Sequence, residues 1–336
     1  MALEKTKLNE NLIRSLLREH YGVEVKYVNK IALGSANCYR ISDGEKTYFL
    51  KEFQSEYSLC DVEKEVKLTN FLSDKRFPAA SFMLTKNNEA GFLHDGSTVC
   101  LQEFIAGDTY GYGELPEMLM KPLAGTLGKL HSILKDYSLP RDMDKSWMDD
   151  FNVENTVKKY DELLKAVEKN DPRYDSIKAD LEYKRESVPR IAALREYFDN
   201  ITYCATHGDY QGCQCIFENG EVKAVIDFSS AKQLPVVWEI MRSFVQSRYE
   251  AEINIDALCE YVREYLKYAP LTESDLIAMP YLYLYQLFRS RYGYTQYLIT
   301  KTANCDQLIE FAFRRTAICR DIESKAERIA ERLAKI

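Results

Sequence analysis

The sequence predicts an α+β protein, with a small N-terminal lobe built on an antiparallel sheet and a larger, mainly helical C-terminal lobe. Three observations support this prediction. The chain has 336 residues, more than the roughly 100–200 residues that one hydrophobic core usually holds. Short β-rich runs dominate up to residue 105. After Gly107 the apolar residues recur mostly at helical spacing.

The N-terminal lobe is predicted to open with a helix and to continue with three strands. Apolar residues recur every three or four positions between Leu8 and His20, and Gly22 suits the end of that helix. Turn-forming Gly, Ser and Asp residues separate the β-rich runs, which lie at 25–28, 38–41 and 48–53. Sequential strands joined by such short turns predict antiparallel pairing.

One more helix and two more strands complete this lobe. Residues 61–73 have an apolar helical face. Residues 82–84 and 98–105 have strand patterns, and the turn-rich stretch 86–96 separates them. Strands therefore dominate up to residue 105.

The boundary between the lobes is predicted at the short polar bridge Ala106-Gly107-Asp108. We assign the N-terminal lobe, the hinge and the helical lobe to residues 1–105, 106–114 and 115–336. Helical spacing in the last of these marks six segments: 118–134, 153–167, 174–198, 253–268, 274–300 and 305–335. Between them, residues 201–231 interrupt the helical pattern with strand and turn signals.

Composition and charge exclude several classes of function. The 45 basic and 52 acidic side chains give a net charge of −7, which argues against the broad basic surface of a nucleic-acid-binding protein. The first ten residues are polar, and no run approaches the roughly 18 apolar residues of a membrane span. We expect a cytoplasmic protein with nine reduced cysteines, and no membrane, nucleic-acid or obligatory protein partner.

Residues 207–228 carry the most specific pattern of chemically active side chains. The tripeptide His207-Gly208-Asp209 is followed by Gln214 and by a predicted hairpin that ends in Ile226-Asp227-Phe228. Phosphoryl transfer from ATP to an alcohol needs a carboxylate that orients and deprotonates the acceptor, together with oxygen ligands for Mg²⁺. Asp209, Gln214 and Asp227 can supply that set.

In order and spacing this segment resembles the aminoglycoside phosphotransferase-like kinases. That family shares the protein-kinase-like fold and includes choline, homoserine and methylthioribose kinases and maltokinases. The resemblance covers nearly the whole chain and implies a bilobal protein-kinase-like fold. It implies that Asp209 is the catalytic base and that Asp227 binds the metal. Most members have Asn where this chain has Gln214, and the maltokinase-like branch is similar in using Gln, so we expect Gln214 to bind Mg²⁺.

The resemblance also implies a nucleotide site in the N-terminal lobe. Lys51 lies on the third predicted strand, from which its ammonium group can reach the α- and β-phosphates of ATP. Glu65 on the following helix looks like its ion-pair partner, and Glu63 is the alternative. The loop that contains Ser35 and Ala36 takes the place of the phosphate-covering loop, although it holds a single glycine.

The strand 99–105 is similar to the family's hinge strand, on which backbone groups hold the adenine. The candidate groups here are the Glu103 carbonyl and the Ile105 amide. Because such contacts are mostly to the backbone, ATP and GTP both stay open as the phosphate donor. We assign the helix that follows, with His131 near its end, a structural role.

These expectations describe a kinase that binds its nucleotide between the two lobes. It would transfer the γ-phosphate of ATP or GTP, with Mg²⁺, to a hydroxyl group of a small molecule, and Asp209 would accept the hydroxyl proton. The acceptor stays open among an aminoglycoside, an amino alcohol and a sugar. The alternative is a catalytically idle kinase-fold binding protein or spore-coat-type structural protein, which Gln214 and the glycine-poor loop motivate.

A zinc site is a third hypothesis for the same region. Four potential ligands lie close together in sequence: Cys204, His207, Cys213 and Cys215. Their spacing fits no standard zinc knuckle. The resemblance instead implies that His207 shapes the catalytic loop through hydrogen bonds to the backbone.

Two helical patterns allow both a functional and a structural interpretation. Four aromatic residues share one helical face, and we predict them as core rather than as an acceptor-binding wall: Tyr281, Tyr285, Phe288 and Tyr292. Three acidic residues recur every four positions, and we predict them as a solvated face rather than as a site for amino sugars: Asp256, Glu260 and Glu264.

Overall fold

The structure is a computed structural model that describes residues 4–31, 36–139, 151–302 and 304–336. The described residues form two compact units. One comprises those between Leu3 and Thr109 together with Gln214–Ala231, and the other comprises Tyr110–Cys213 together with Lys232–Ile336. The first unit carries an antiparallel sheet and the second is mainly helical. The predicted α+β class is therefore confirmed.

The sheet of the first unit has six antiparallel strands. They are β1 (Tyr27–Ile31), β2 (Asn37–Ser42), β3 (Thr47–Glu52), β4 (Phe82–Met83), β5 (Phe92–His94) and β6 (Ser97–Glu103). Their order is β1-β2-β3-β6-β4, and β5 also pairs with β6. Strand β5 was not predicted, because three residues inside a turn-rich stretch are too few to show alternation.

Helix α1 (Glu10–Tyr21) packs into the apolar core of this sheet. Its Ile13 and Leu17 are buried in one cluster with Leu50 of β3, and full burial of such a side chain contributes about 1.5–3 kcal/mol. The side chain of Asn9 accepts a hydrogen bond from the first turn and begins the helix. Gly22 ends it in the left-handed conformation, with φ of 72°.

Helix α2 (Leu59–Asp74) follows β3 and positions one of the predicted site residues. Ser58 and Asp61 form a reciprocal capping box at its start. Val62 and Val66 are buried in a second apolar cluster of this unit. That packing fixes the rotation of the helix, and therefore which of its glutamates points inward.

The hairpin of β8 (Cys215–Glu218) and β9 (Glu221–Val225) belongs to the first unit. The backbones of Asp108 and Phe217 exchange two hydrogen bonds, of 2.8 and 2.9 Å. Val225 N donates to Pro78 O at 2.8 Å. These bonds explain why the unit gathers residues from two stretches of chain, whereas the predicted lobe limits follow chain order. Those limits stay a prediction.

The second unit holds eight helices among its described residues. They are α3 (Met120–Leu134), α4 (Val153–Lys165), α5 (Tyr174–Ala193), α6 (Val236–Gln246), α7 (Ile255–Leu266), α8 (Glu273–Arg289), α9 (Tyr292–Thr295) and α10 (Cys305–Leu333). Strands β7 (Tyr203–Thr206) and β10 (Lys232–Pro235) pair antiparallel in the same unit. The helices agree with five of the six predicted segments to within five residues at each end.

The sixth predicted segment, 274–300, is broken in the structure. Ser290 is extended, with φ of −79° and ψ of 124°, and ends α8. The short α9 and a single π-helical turn, Gln296–Thr300, follow. Helix α6 was not predicted. Its polar residues Glu239, Arg242, Ser243 and Gln246 recur at helical spacing, but three of them are buried, so they do not form the solvent-exposed polar face of a surface helix.

The burial of the side chains decides between the functional and the structural interpretation of the aromatic and acidic helical patterns. Tyr281, Tyr285 and Phe288 are buried, whereas Tyr292 lies beyond the break and is 43% exposed. The side chains of Asp256 and Glu260 are exposed and pair with basic residues at the surface. The aromatic face is therefore core over its first three members, as predicted.

Two further findings concern membrane-spanning helices and cysteines. In the ranges described above, no helix is long and apolar enough to cross a membrane. All nine cysteines lie within those ranges, and no disulfide bond joins any two of them there.

Candidate active site

Lys51 occupies the interior of the first unit on β3. Its side chain is 8% exposed, and its Nζ donates a hydrogen bond to Asp227 Oδ1 at 2.8 Å. Burial acts to lower the pKa of Lys51, but the carboxylates of Asp227 and Glu65 more than offset burial and raise it. The lysine is therefore held as a cation by two carboxylates.

Glu65 of α2 lies beside this pair. Its Oε1 accepts a hydrogen bond of 3.0 Å from the Phe228 amide, and its buried Oε2 has no hydrogen-bond partner. Burial raises the pKa of Glu65 to about 7, although Lys51 acts to lower it. Glu63, the alternative from the sequence, is exposed. The structure thus places Glu65, and not Glu63, near Lys51, while the direct ionic contact of Lys51 is with Asp227.

Asp227 sits directly after β9 in an unusual backbone conformation. Its φ and ψ are 61° and 65°, in the left-handed region, which costs a residue with a Cβ roughly 1–2 kcal/mol. Oδ1 accepts from Ser229 Oγ at 2.7 Å as well as from Lys51. Strain of this kind concentrates at functional sites. It places the carboxylate beside the lysine.

Gln214 lies at the start of the same hairpin. Its backbone carbonyl accepts a hydrogen bond of 3.0 Å from Ile226 N, so Gln214 and Asp227 lie at adjacent ends of β8 and β9. Both side chains are half-buried. A carboxylate and an amide oxygen are ligands that Mg²⁺ accepts, and Mg²⁺ in phosphoryl-transfer sites commonly takes only one or two protein carboxylates. The residues present therefore fit this metal.

Asp209 lies in the second unit, just after β7. It follows Gly208, whose φ of 79° requires glycine at this turn. The Asp209 amide donates to His207 Nδ1 at 3.2 Å. Arg242 of α6 forms an ion pair with Asp209 Oδ1. The carboxylate is 30% exposed, so it is oriented by a cation and still reachable.

A buried glutamate supports this turn. Glu239 of α6 is fully buried and accepts hydrogen bonds from the backbone amides of His207, at 3.1 Å, and Gly208, at 2.5 Å. His131 Nε2 lies 2.9 Å from the same carboxylate, and His131 Nδ1 lies 2.9 Å from the Tyr265 hydroxyl. Burial alone would raise the pKa of Glu239, but these neighbours lower it. The carboxylate therefore anchors this turn as an anion.

Sequence reasoning missed Glu239 and Arg242. A charged pair in an apolar stretch, Val236-Val237-Trp238-Glu239-Ile240-Met241-Arg242, was the available signal, because side chains such as these are almost never buried without a partner. His131, which the sequence assigned to structure, lies in the support of the turn.

The remaining described candidates also lie in the first unit. Glu103 ends β6, where its amide donates to Ser81 O at 2.9 Å. Ile105 follows in irregular backbone, and Ala36 is buried just before β2. Ser35 lies outside the described residues. The structure brings Lys51, Glu65, Gln214 and Asp227 into one unit, while Asp209 lies in the other.

The zinc hypothesis gains no support. In the parts of the chain that the structure covers, no three His, Cys, Asp or Glu side chains come together to hold a metal ion. Cys204 and Cys215 even belong to different units. The pKa of the Cys204 thiol is raised by burial, the opposite of the shift that a ligand thiolate needs.

Comparison with known proteins gives one sequence family and many solved structures of similar fold. A sequence model of the "Phosphotransferase enzyme family" matches residues 28–273, well over half of the chain. No curated protein sequence matches.

Three solved structures illustrate the fold. A microcompartment-associated aminopropanol kinase has a TM-score of 0.71 at 14% identity, covering 96% of this chain and 100% of its own. A spectinomycin phosphotransferase, solved with ADP and spectinomycin, has a TM-score of 0.69 at 15% identity, with coverage of 96% and 100%. An ethanolamine kinase from Plasmodium vivax has 0.60 at 16% identity, with coverage of 96% and 91%. At such identities these likenesses establish the fold that the chain shares with them.

Proposed function

Because the chain belongs to the phosphotransferase enzyme family, we propose that it is a small-molecule kinase that transfers the γ-phosphate of ATP or GTP to a hydroxyl group. The observation that carries the proposal is the ion pair between Lys51 and Asp227, with Glu65 beside it. A buried lysine held by two carboxylates is the arrangement with which kinases of this fold position phosphates and metal.

Each of these residues has a role in the proposal. Lys51 would donate to the α- and β-phosphates, and Glu65 would keep its side chain extended toward them. Asp227 and Gln214 would hold Mg²⁺, which when bound neutralises charge on the phosphates. The backbone of Glu103, Ile105 and the Ser35-Ala36 loop would contact the nucleotide.

Asp209 would orient the acceptor hydroxyl and take its proton as the oxygen attacks the γ-phosphorus. Its pairing with Arg242 fixes the carboxylate before the acceptor arrives. The amides of His207 and Gly208, bonded to Glu239, fix the backbone from which it projects. Positioning of this kind supplies much of the rate enhancement in phosphoryl transfer.

The acceptor is proposed as a hydroxylated small molecule such as an aminoglycoside, an amino alcohol or a sugar. The solved structures of similar fold include kinases named for aminopropanol, ethanolamine and spectinomycin. One fold hosts many specificities, so the acceptor has to be found by experiment.

The test is transfer of labelled phosphate from γ-labelled ATP, with Mg²⁺, to a mixed panel of alcohols. Asp209→Asn is expected to lower transfer at least about a hundredfold, the usual contribution of general base catalysis, while Mg-ATP still raises the melting temperature. Asp136→Asn, an exposed aspartate of the same unit, is the matched control and should keep full activity.

The outcomes separate the proposal from an idle kinase fold. A product that Asp209→Asn loses and Asp136→Asn keeps supports the kinase. Binding of Mg-ATP without any transfer would favour an idle binding protein. If Mg-ATP does not raise the melting temperature, the protein does not bind the nucleotide, and the proposal of a nucleotide-dependent function is wrong.

A further inference from the structure

Two buried polar atoms on α6, close to Asp209, have no hydrogen-bond partner among the described residues: Arg242 Nη1 and Gln246 Oε1. The two residues are four positions apart and so share one helix face. The other end of the Gln246 amide is fixed, because its Nε2 donates to the Tyr283 hydroxyl at 2.7 Å. A buried donor or acceptor left unsatisfied costs about 1–3 kcal/mol. A ligand with an oxygen that accepts from Arg242 Nη1 and a hydroxyl that donates to Gln246 Oε1 would satisfy both.

Positive charge is concentrated around the same place. Burial raises the pKa of the Tyr112 hydroxyl, and three guanidinium groups oppose that shift, those of Arg314, Arg315 and Arg242. Arg314 is already used by the fold, since it donates to backbone carbonyls at the end of α6. Arg242 pairs with Asp209, and Arg315 donates to Gln286 Oε1 at 3.2 Å, but each guanidinium group has further N–H groups that a ligand could engage.

Arg315 also opens onto a pocket of the second unit. The Tyr112 ring packs edge-on against Phe311 at 5.3 Å, and the Arg315 guanidinium lies 5.3 Å from the same Phe311 ring. Phe311 and Arg315 line a small pocket together with Arg291 and Lys184. No carboxylate is among the described residues that line it.

The lysine in this pocket is in an unfavourable electrostatic position. Lys184 is fully buried, and its Nζ donates to backbone carbonyls, the nearer at 3.1 Å. Burial lowers the pKa of Lys184, and the charges of Arg315 and Arg291 lower it further, although Asp180 opposes them. An anion bound beside these groups would stabilise all three cations.

We propose that the phosphate acceptor is an alcohol that also carries an anionic oxygen group, a carboxylate or a phosphate, which Arg242 and Arg315 hold while Asp209 receives the hydroxyl. This inference rests on the proposed function and narrows it. Planar guanidinium groups bind such anions with two parallel hydrogen bonds. The same charges repel the ammonium groups of an aminoglycoside or a simple amino alcohol.

The first experiment tests the anion site without catalysis. The melting temperature is measured against sulfate at constant ionic strength, chloride serving as the reference salt, with saturating Mg-ADP to occupy the nucleotide site. Wild type should be stabilised by sulfate. Arg315→Gln should lose at least half of that rise, and Arg315→Lys should lose less. Arg328→Gln, an exposed arginine of the same helix, should keep it.

The second experiment tests the acceptor. Labelled phosphate transfer is measured on matched triples that differ at a single carbon, which carries a hydroxyl, a carboxylate or an amine, such as glycerol, glycerate and 3-amino-1,2-propanediol, or glucose, glucuronate and 6-amino-6-deoxyglucose. The anionic members are expected to have the highest kcat/KM. For them Arg315→Gln should raise KM at least tenfold and change kcat less than threefold.

Contrary results in the two experiments overturn different parts of the proposal. Equal sulfate responses of Arg315→Gln and Arg328→Gln overturn the anion site. Transfer that prefers the neutral or amino members, or that reaches no anionic member, overturns the acceptor assignment, and the kinase proposal survives if any alcohol is phosphorylated. Absence of both Mg-ATP binding and transfer overturns the kinase proposal itself, even where the sulfate response holds.

Discussion

Replacement of Glu65 by Gln should change how the stability of the protein depends on pH. Glutamine keeps the oxygen that accepts from the Phe228 amide and removes the charge. In the folded protein the pKa of Glu65 is raised from 4.5 to about 7, chiefly by burial. One pKa unit corresponds to about 1.4 kcal/mol, so this difference of 2.5 amounts to about 3 kcal/mol.

The sign of the effect follows from proton binding. Between pH 4.5 and 7 the folded state holds the Glu65 proton more tightly than the unfolded state does. The free energy of unfolding of the wild type therefore has its full value below pH 4.5 and loses about 3 kcal/mol as the pH rises through 7. Glu65→Gln lacks this loss, so its advantage over wild type should grow from pH 5 to pH 8.

The measurement is thermal unfolding, followed by circular dichroism at pH 5, 6, 7 and 8 in the absence of nucleotide. The melting temperature of Glu65→Gln should gain several degrees on wild type across this range. Glu63→Gln, two positions earlier and exposed, is the matched control and should follow wild type. If the curves of Glu65→Gln and wild type run parallel, the raised pKa of Glu65 is wrong.

Two further substitutions test the supports of the site. Glu239→Ala leaves His131 and two buried amides without their acceptor and should lower the free energy of unfolding by about 3–5 kcal/mol in urea; exposed Glu260→Ala should cost almost nothing, and equal effects would refute the anchoring role. Gly107→Ala would place a Cβ 2.6 Å from the Phe217 carbonyl oxygen, so it should cost about 1–3 kcal/mol by overpacking. The cost should exceed that of Gly111→Ala, whose Cβ would meet only the movable carboxylate end of the Glu114 side chain; a smaller cost at Gly107 would contradict the close approach.

The sequence predicts the elements whose apolar residues recur with a clear period. Strands β2 and β3 and helices α1, α5 and α10 have one buried face, so burial imprints their period on the residues. Helix α6 has almost no exposed face, and its polar residues, although they recur at helical spacing, are mostly buried, so the helix was not recognised from the sequence. Strand β5 is too short to show a period.

Part of the candidate site could be predicted in the same way. The order of Lys51, Glu65, Asp209, Gln214 and Asp227 along the chain was enough to single them out. Their roles stay proposals, but the structure explains what the sequence could not show about their surroundings.

Contacts between residues that are far apart in the chain could not be predicted from the sequence. Whether Glu63 or Glu65 points inward depends on the packing of α2 and not on the residues themselves. The support from Glu239 and Arg242 depends on where α6 comes to lie beside the turn at Asp209. The left-handed backbone of Asp227 is a conformation that the residue type alone does not favour.

The division of the first unit into two stretches of chain has a consequence for how the protein is made. Its N-terminal stretch leaves the ribosome first, but the backbone partners of Pro78, Ala80 and Asp108 lie on the hairpin between Gln214 and Ala231. About a hundred residues of the second unit are synthesised in between. Until the hairpin emerges, Pro78, Ala80 and Asp108 therefore lack these backbone hydrogen-bond partners. A nascent chain stopped before residue 214 should be more sensitive to protease at Pro78–Ala80 than one stopped after residue 231.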